Sequence, residues 1–456
     1  MNTTEKRIAL ISVHGDPAIE IGKEEAGGQN VYVRNVGEAL GQLGWQVDMF
    51  TRKVSLEQDS IVEHSDNCRT IRLKAGPLEF VPRDEIFEFL PEFVDNFLKF
   101  QVKNDFTYQL VHSNYWLSSW VGMQLNKIQE SKQVHTYHSL GAVKYNTIDN
   151  IPLIASVRLA VEKEVLEKAE RIVATSPQEQ QHMRSLVSTK GNIDIIPCGT
   201  DIQRFGSIAR EAARVELGIA KETKVVLYVG RFDPRKGIET LVRAVNESSL
   251  RDSKNLQLII GGGSTPGNSD GIERDRIEQI VNELGMSDLT TFAGRLSQDI
   301  LPTYYAGADV CVVPSHYEPF GLVAIEAMAS GTPVVASDVG GLQFTVVNEE
   351  TGLLAAPQDV DAFASAIDRI LLNPEWRDEL GKAGRVRVET KFSWDGVAHQ
   401  LSELYTQLLE PQTIASTAKE LVESTAELVA STAKELMEST VELVQSTAKQ
   451  PVLVAK

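Results

Sequence analysis

The chain has 456 residues, 42% of them hydrophobic and 24% charged, with a formal net charge of -18. That length exceeds one ordinary core and implies two domains of roughly 200 residues, while the composition is that of a soluble globular protein. So negative a chain argues against nucleic acid as a partner and has no pull towards anionic membrane, so anionic substrates must meet local basic clusters.

Met1-Asn2-Thr3-Thr4-Glu5-Lys6-Arg7 leads directly into apolar residues and does not resemble a signal peptide. No apolar stretch approaches the roughly 18 residues that a membrane span requires. A cytoplasmic protein without a membrane partner is expected. Cys68, Cys198 and Cys311 are widely spaced and lack metal-ligand spacing, which predicts buried free thiols.

Arg7 to Val13 reads as a strand, followed by a loop from His14-Gly15-Asp16-Pro17 to Ala26-Gly27-Gly28-Gln29. A helix then carries Val31, Val33, Val36, Leu40 and Leu43 on one apolar stripe. The glycine pair is not the Gly-x-Gly-x-x-Gly fingerprint, and no acidic ribose ligand follows about twenty residues on, which argues against a two-domain dehydrogenase. Further strands are predicted at Trp45 to Thr51, Cys68 to Leu73 and Leu110 to Ser113, with a helix from Asp84 to Gln101. Val134 to Tyr137 delivers His138-Ser139-Leu140-Gly141-Ala142-Val143-Lys144 at its carboxyl end, where open parallel sheets bind ligands. Ile151 to Ala169 is predicted helical, and Arg158 and Glu162, one turn apart, fit an exposed ion pair. After strands at Ile172 to Thr175 and Ile193 to Ile196, Pro197-Cys198-Gly199-Thr200-Asp201 breaks the pattern and marks a hinge.

The second half restarts the alternation. Lys224 to Val229 is a strand, and the loop Gly230 to Gly237 carries Arg231 and Lys236, a forked and a point cation suited to a pyrophosphate. Leu256 to Ile260 ends in the glycine loop Gly261 to Ser264, and Thr290 to Phe292 precedes Ala293-Gly294-Arg295-Leu296. Val310 to Val313 is a buried strand, Pro314 to Pro319 a loop, and Phe320 to Ala329 a helix closed by Gly331 and Pro333. Glu318 and Glu326 bracket the start of this helix, with Glu326 roughly 9 Å along its axis. The amides of Phe320, Gly321 and Leu322 are orphan donors at the positive end of the helix dipole, an arrangement that holds a diphosphate. Spacing alone also fits a first-turn charge and a solvated face. Asp359-Val360-Asp361 opens a helix and reads as an N-cap rather than a metal site.

The string around Glu318-x7-Glu326, continuing through Glu326-Ala-Met-Ala-Ser-Gly-Thr-Pro-Val-Val-Ala-Ser337, resembles the motif of retaining nucleotide-sugar glycosyltransferases of the GT-B fold, family four. Gly230-Arg231-x4-Lys236-Gly237, His138-Ser-Leu-Gly-x-x-Lys144 and Pro197-x-Gly199-x-Asp201 match it as well. The resemblance implies an α/β protein with two Rossmann-like domains facing across a cleft: residues 1–201 for the acceptor and 202–392 for the nucleotide sugar. Residues 393–410 would form a helix returning to the first domain. Gly28, Arg231, Lys236, Arg295, Glu318, Phe320, Gly321, Leu322 and Glu326 would then bind the donor, with Glu318 on the sugar, Glu326 on the ribose and Arg295 beside the base. His138, Arg231, Lys236 and Glu318 would act in catalysis. Gln29, Arg83, Tyr115, Ser139, Lys144 and Arg158 would hold the acceptor.

Gly27-Gly28-Gln29 resembles the glycine loop of sucrose-phosphate and sucrose synthases, whereas Asn30-Val31-Tyr32-Val33 and Arg158-x3-Glu162 look like inositol-phosphate transferases of the same family. The expected reaction moves glucose from UDP-glucose or ADP-glucose to fructose 6-phosphate. Its rivals are N-acetylglucosamine transfer to an inositol phosphate and transfer to plain fructose. No tightly bound cofactor and no dedicated metal site are expected, and a magnesium ion is compatible with the reaction without being essential to it. A sugar-nucleotide epimerase would share the architecture; a non-catalytic sugar-binding module would not need the charged diphosphate loops.

From Ser416 the sequence departs from the family. Ser416-Thr-Ala-Lys-Glu-Leu421 returns fifteen residues later as Ser431-Thr-Ala-Lys-Glu-Leu436. Leu421, Leu428, Leu436 and Leu443 recur near the helical period, which predicts an amphipathic helix over the tail, residues 411–456, ended by Pro451. It is expected to serve as a loosely attached helix, or in self-association or partner docking.

Overall fold

Short apolar runs build two separate β-sheets. The computed structural model describes residues 6–19, 27–146 and 150–410, so the repetitive tail lies outside the described residues. In the first sheet β1 is Arg7–Ile11, β2 Gln46–Arg52, β3 Ile61–Ser65, β4 Cys68–Leu73, β5 Leu110–Asn114, β6 Lys132–Thr136, β7 Arg171–Ala174 and β8 Ile193–Ile195. Their order is β3-β4-β2-β1-β5-β6-β7-β8, with all pairs parallel except β3 with β4. The second sheet contains β9 Lys224–Val229, β10 Leu256–Gly261, β11 Thr290–Gly294, β12 Val310–Val313, β13 Val334–Ser337 and β14 Gly352–Ala355. It runs β11-β10-β9-β12-β13-β14, parallel throughout. Helices cover such sheets on both faces, so their strands read as continuous apolar runs, and β12 is buried at every residue.

Both sheets reverse their direction of growth once: between β1 and β5 in the first and between β9 and β12 in the second. Loops leaving adjacent strands on either side of such a reversal diverge and open a crevice at the carboxyl edge. Five helices matter for what those crevices hold: α1 Gly28–Gln42, α2 Tyr115–Ile128, α3 Ala155–Lys168, α4 Leu322–Ala329 and α5 Trp394–Leu409.

The α5 helix crosses back onto the first sheet. Trp45 Nε1 donates to Ser402 Oγ at 2.9 Å, and His112 Nδ1 lies 2.5 Å from the Tyr405 hydroxyl. Asp359 caps its helix by accepting from the Ala362 amide at 2.9 Å, and all three cysteines are free and buried. Among the described residues no helix is long and apolar enough to cross a membrane.

Several boundaries differ from the sequence reading. The single helix expected over Asp84 to Gln101 is a 3-10 stretch, Arg83–Phe89, followed by an α-helix, Leu90–Asn104. Pro91, which has no amide hydrogen to donate, sits in the first turn of the second piece and resets the helix there. The helix expected from Ile151 begins at Ala155, and the one expected from Phe320 begins at Leu322. Arg158 and Glu162 are not an exposed pair: their side chains are 1% and 0% exposed.

Candidate active site

On the second sheet, β9 and β12 are hydrogen-bonded neighbours, so the loops that leave them run side by side. The His316 amide donates to the Arg235 carbonyl at 2.8 Å. Gly237, at φ +68°, passes so close to Pro314 that a Cβ would sit 2.0 Å from its carbonyl oxygen. This register brings Lys236 Nζ to 2.6 Å from Glu318 Oε2, across 82 residues of sequence. Backbone contacts hold the Glu318 loop from its other side, where the Gly341 amide donates to the Glu318 carbonyl at 3.0 Å.

Gly321 forms the N-cap of α4 at φ +96°, and a Cβ there would meet Leu342 Cδ2 at 2.6 Å, so only glycine turns the chain into this helix. The first α4 amides therefore face the loop that carries Glu318. Further along α4, Glu326 is 8% exposed and accepts from the Tyr305 hydroxyl at 2.9 Å. Burial pushes its carboxyl up to about 7, with the Tyr305 hydrogen bond pulling the other way. Glu326 also lines a cavity of about 280 Å³, together with Arg204 and Gln298 of the second half and Asn30, Arg34 and Asn35 of α1. Arg231 is exposed at the loop's start, and Arg295 is exposed just past β11, where its stem lies beside Gly263.

On the first sheet the loops after β1, β5 and β6 converge on Tyr115. Tyr115 and His138 hold φ values of +74° and +58°, a region that L-residues rarely occupy and that clusters at functional sites. The Arg158 guanidinium lies 4.9 Å from the centre of the Tyr115 ring, that of Arg83 lies 5.8 Å away, and the His14 ring packs at 4.6 Å. Arg158 donates to the Tyr115 hydroxyl at 3.0 Å, to the Ser139 carbonyl at 2.6 Å and to Glu162 at 2.7 Å. Glu162 in turn accepts from the Gly141 amide at 2.8 Å. Lys144 joins the cluster electrostatically: burial, then the charges of Arg83 and Arg158, push its ammonium down to about 8. His138 Nε2 lies 2.8 Å from Asn114 Oδ1, and burial pushes its imidazole down to about 3, so it is neutral at pH 7.

Two networks fix the glycine turn before α1. Gln29 Nε2 donates to Ser12 Oγ at 3.0 Å. Asp16 accepts from Arg72 Nε at 2.8 Å in a buried pair, while Asn30 donates to the Asp16 carbonyl at 3.0 Å and accepts from the Gly27 amide at 3.1 Å. The turn thereby meets the second half of the molecule: a Cβ on Gly28 would lie 3.1 Å from Leu322 Cδ1.

Comparison with known proteins agrees with the two-sheet fold. Residues 27–199 match the glycosyl transferase 4-like domain, and residues 209–387 match the glycosyl transferases group 1 family. A D-inositol 3-phosphate glycosyltransferase of Corynebacterium jeikeium is 36% identical over 408 residues, 88% of this chain and 97% of that one. The chain belongs to glycosyltransferase family four. This family-four enzyme is also similar to a solved sucrose-phosphate synthase of Thermosynechococcus elongatus, with 52% identity, a TM-score of 0.82, and coverage of 88% of this chain and 99% of the other. At 18% identity and a TM-score of 0.69, an Anabaena protein solved with UDP and glucose, matched over 88% of this chain and 100% of that one, shares the GT-B fold.

The glycosyltransferase thus carries many of the residues singled out in its sequence on the loops of its two sheets. Lys236, Glu318, Gly321, Leu322 and Glu326 lie on the second sheet, and Arg83, Tyr115, Ser139, Lys144 and Arg158 on the first, with Gly28 and Gln29 at the seam. Sequence reasoning passed over His14, whose buried Nδ1 has no hydrogen-bond partner among the described residues, and Asn114, which orients His138. Their only sequence signal is position: each sits at the carboxyl end of a strand flanking the reversal of the first sheet. Asp16 and Arg72 carry no local signal, because a pair 56 residues apart is made by the β1 to β4 side of the sheet.

Proposed function

We propose that this enzyme is a retaining glucosyltransferase that moves glucose from UDP-glucose or ADP-glucose to fructose 6-phosphate, forming sucrose 6-phosphate. The observation that carries the acceptor assignment is the 52% identity to a sucrose-phosphate synthase across 99% of that chain. Gln29 and the cations around Tyr115 support it, since a sugar phosphate needs both hydroxyl partners and concentrated positive charge.

In the proposed reaction the bond between glucose C1 and the diphosphate oxygen breaks while the acceptor hydroxyl oxygen bonds to C1 on the same face. Its proton passes to the departing phosphate. Negative charge grows on the diphosphate, so Arg231, Lys236, the Gly28 amide and the first amides of α4 stabilise the transition state. Glu318 would orient the sugar hydroxyls and Glu326 the ribose. His138, held neutral by burial, would contact the sugar without bringing a competing cation to the diphosphate. Arg295 would lie against the base. Closure of the two halves would exclude water, which otherwise hydrolyses an activated sugar.

A second reading, transfer of N-acetylglucosamine to an inositol phosphate, is favoured by the 36% identity to D-inositol 3-phosphate glycosyltransferases. Release of nucleoside diphosphate with fructose 6-phosphate, fructose or inositol 1-phosphate as sole acceptor separates these readings. Turnover confined to fructose 6-phosphate supports the proposal, turnover confined to inositol phosphate replaces the acceptor, and preference for plain fructose removes the phosphate role of Arg83, Lys144 and Arg158.

A further inference from the structure

The two side chains proposed to grip different parts of the donor also grip each other. Lys236 Nζ and Glu318 Oε2 are 2.6 Å apart, with side chains only 27% and 15% exposed. The pair is not a chance meeting of long surface side chains. Neighbouring strands β9 and β12 deliver it, and the backbone bond from His316 to Arg235 and the close pass of Gly237 over Pro314 fix the two loops against each other.

We infer that Glu318 competes with the diphosphate for Lys236, and that this competition makes the site select a sugar-bearing nucleotide over the free nucleoside diphosphate. This rests on the donor site proposed above. A free nucleoside diphosphate must take Lys236 from Glu318 and leaves that carboxylate, largely shielded from water, facing new negative charge. A nucleotide sugar offers its hydroxyls to Glu318 as replacement donors, so Lys236 is released to the phosphate at no net loss of hydrogen bonds. The same exchange runs backwards after transfer. Once glucose has moved to the acceptor, Glu318 loses those hydroxyls, returns to Lys236 and weakens the hold on the departing diphosphate. Glu318 is then both a substrate ligand and the residue that hastens product release.

The test is a calorimetric titration of the full chain with UDP and with ADP, in the wild type, Glu318→Gln, Lys236→Met and the double variant, beside UDP-glucose turnover. Glu318→Gln should bind the preferred nucleoside diphosphate about tenfold more tightly, the worth of one charge-assisted contact, while its turnover falls. In the Lys236→Met background the same substitution should leave affinity unchanged within about twofold, because the competition acts through the ammonium. An unchanged affinity in Glu318→Gln overturns the competition. So does tightening that persists without Lys236, which would mean simple repulsion through space. If the folded wild type binds neither nucleotide, the donor site itself is wrong.

Discussion

Arg158 Nε donates to Glu162 Oε1 at 2.7 Å in the interior of the first domain, where water reaches neither side chain. Removing one partner of a buried ion pair strands the other, at a cost of about 3–5 kcal/mol. Glu162→Ala should therefore lower stability by about that amount in urea unfolding. Because Arg158 also holds Tyr115 and Ser139, Arg158→Ala should in addition raise KM for a phosphorylated acceptor by about tenfold or more, with donor KM within about twofold. Equal rises in both constants would remove Arg158 from the acceptor site.

Lys144 should give the acceptor a pH dependence. Its ammonium is charged below about 8 and neutral above. Affinity for a phosphate should accordingly be full at pH 7 and fall as the pH rises through about 8, seen as a rise in acceptor KM. Lys144→Met should have the high KM at every pH. A wild-type profile that stays flat from neutral to alkaline pH would exclude Lys144 from phosphate binding.

Glu326 titrates in the opposite sense for the donor. An ionised carboxylate has more acceptor sites for ribose hydroxyls than a protonated one, and one oxygen already receives Tyr305. Since burial lifts the group to about 7, donor KM should decrease as the pH rises through that value and level off above it. In Glu326→Gln the dependence should vanish. Its survival would assign the titration to another group.

Gly28 and Leu322 test the seam between the halves. A methyl on Gly28 would sit 3.1 Å from Leu322 Cδ1, tighter than ordinary contact. Gly28→Ala should reduce kcat by about tenfold, the equivalent of about 1.4 kcal/mol in the barrier. If the side chain is the obstacle, adding Leu322→Ala should recover part of that loss. No recovery would locate the obstruction at the diphosphate rather than at leucine.

His14 should resemble Arg158 in its kinetic effect but not in stability. Burial, then the charge of Arg83, lowers its pKa, so the ring is neutral, and its buried Nδ1 has no hydrogen-bond partner among the described residues. His14→Ala should raise acceptor KM and leave donor KM within about twofold. A matching loss of affinity for both substrates would make the ring a packing element only.

Much of this molecule was legible because its signals are local. A strand buried on both faces is an apolar run, so β1, β9 and β12 announce themselves. A helix entered through a positive φ needs glycine there, so Gly321 and Gly237 stand in the motifs that the chain displays. Asp359 was readable as a cap because a cap bonds three residues ahead. The single helix expected from Asp84 was wrong for an equally local reason, the proline at 91, which the apolar pattern outweighed.

What tertiary structure alone decided are the meetings between distant residues. Spacing put Arg158 and Glu162 on one face of a helix, but burial depends on which elements cover that face, and Tyr115 and the Ser139 loop, from elsewhere in the chain, close over it. Lys236 and Glu318 could each be read as donor ligands; that they neutralise each other follows from the pairing of β9 with β12, which no periodicity encodes. Sequence fixes backbone propensity over a few residues at a time, whereas the electrostatics of this cleft are set by non-local neighbours and by the water they exclude.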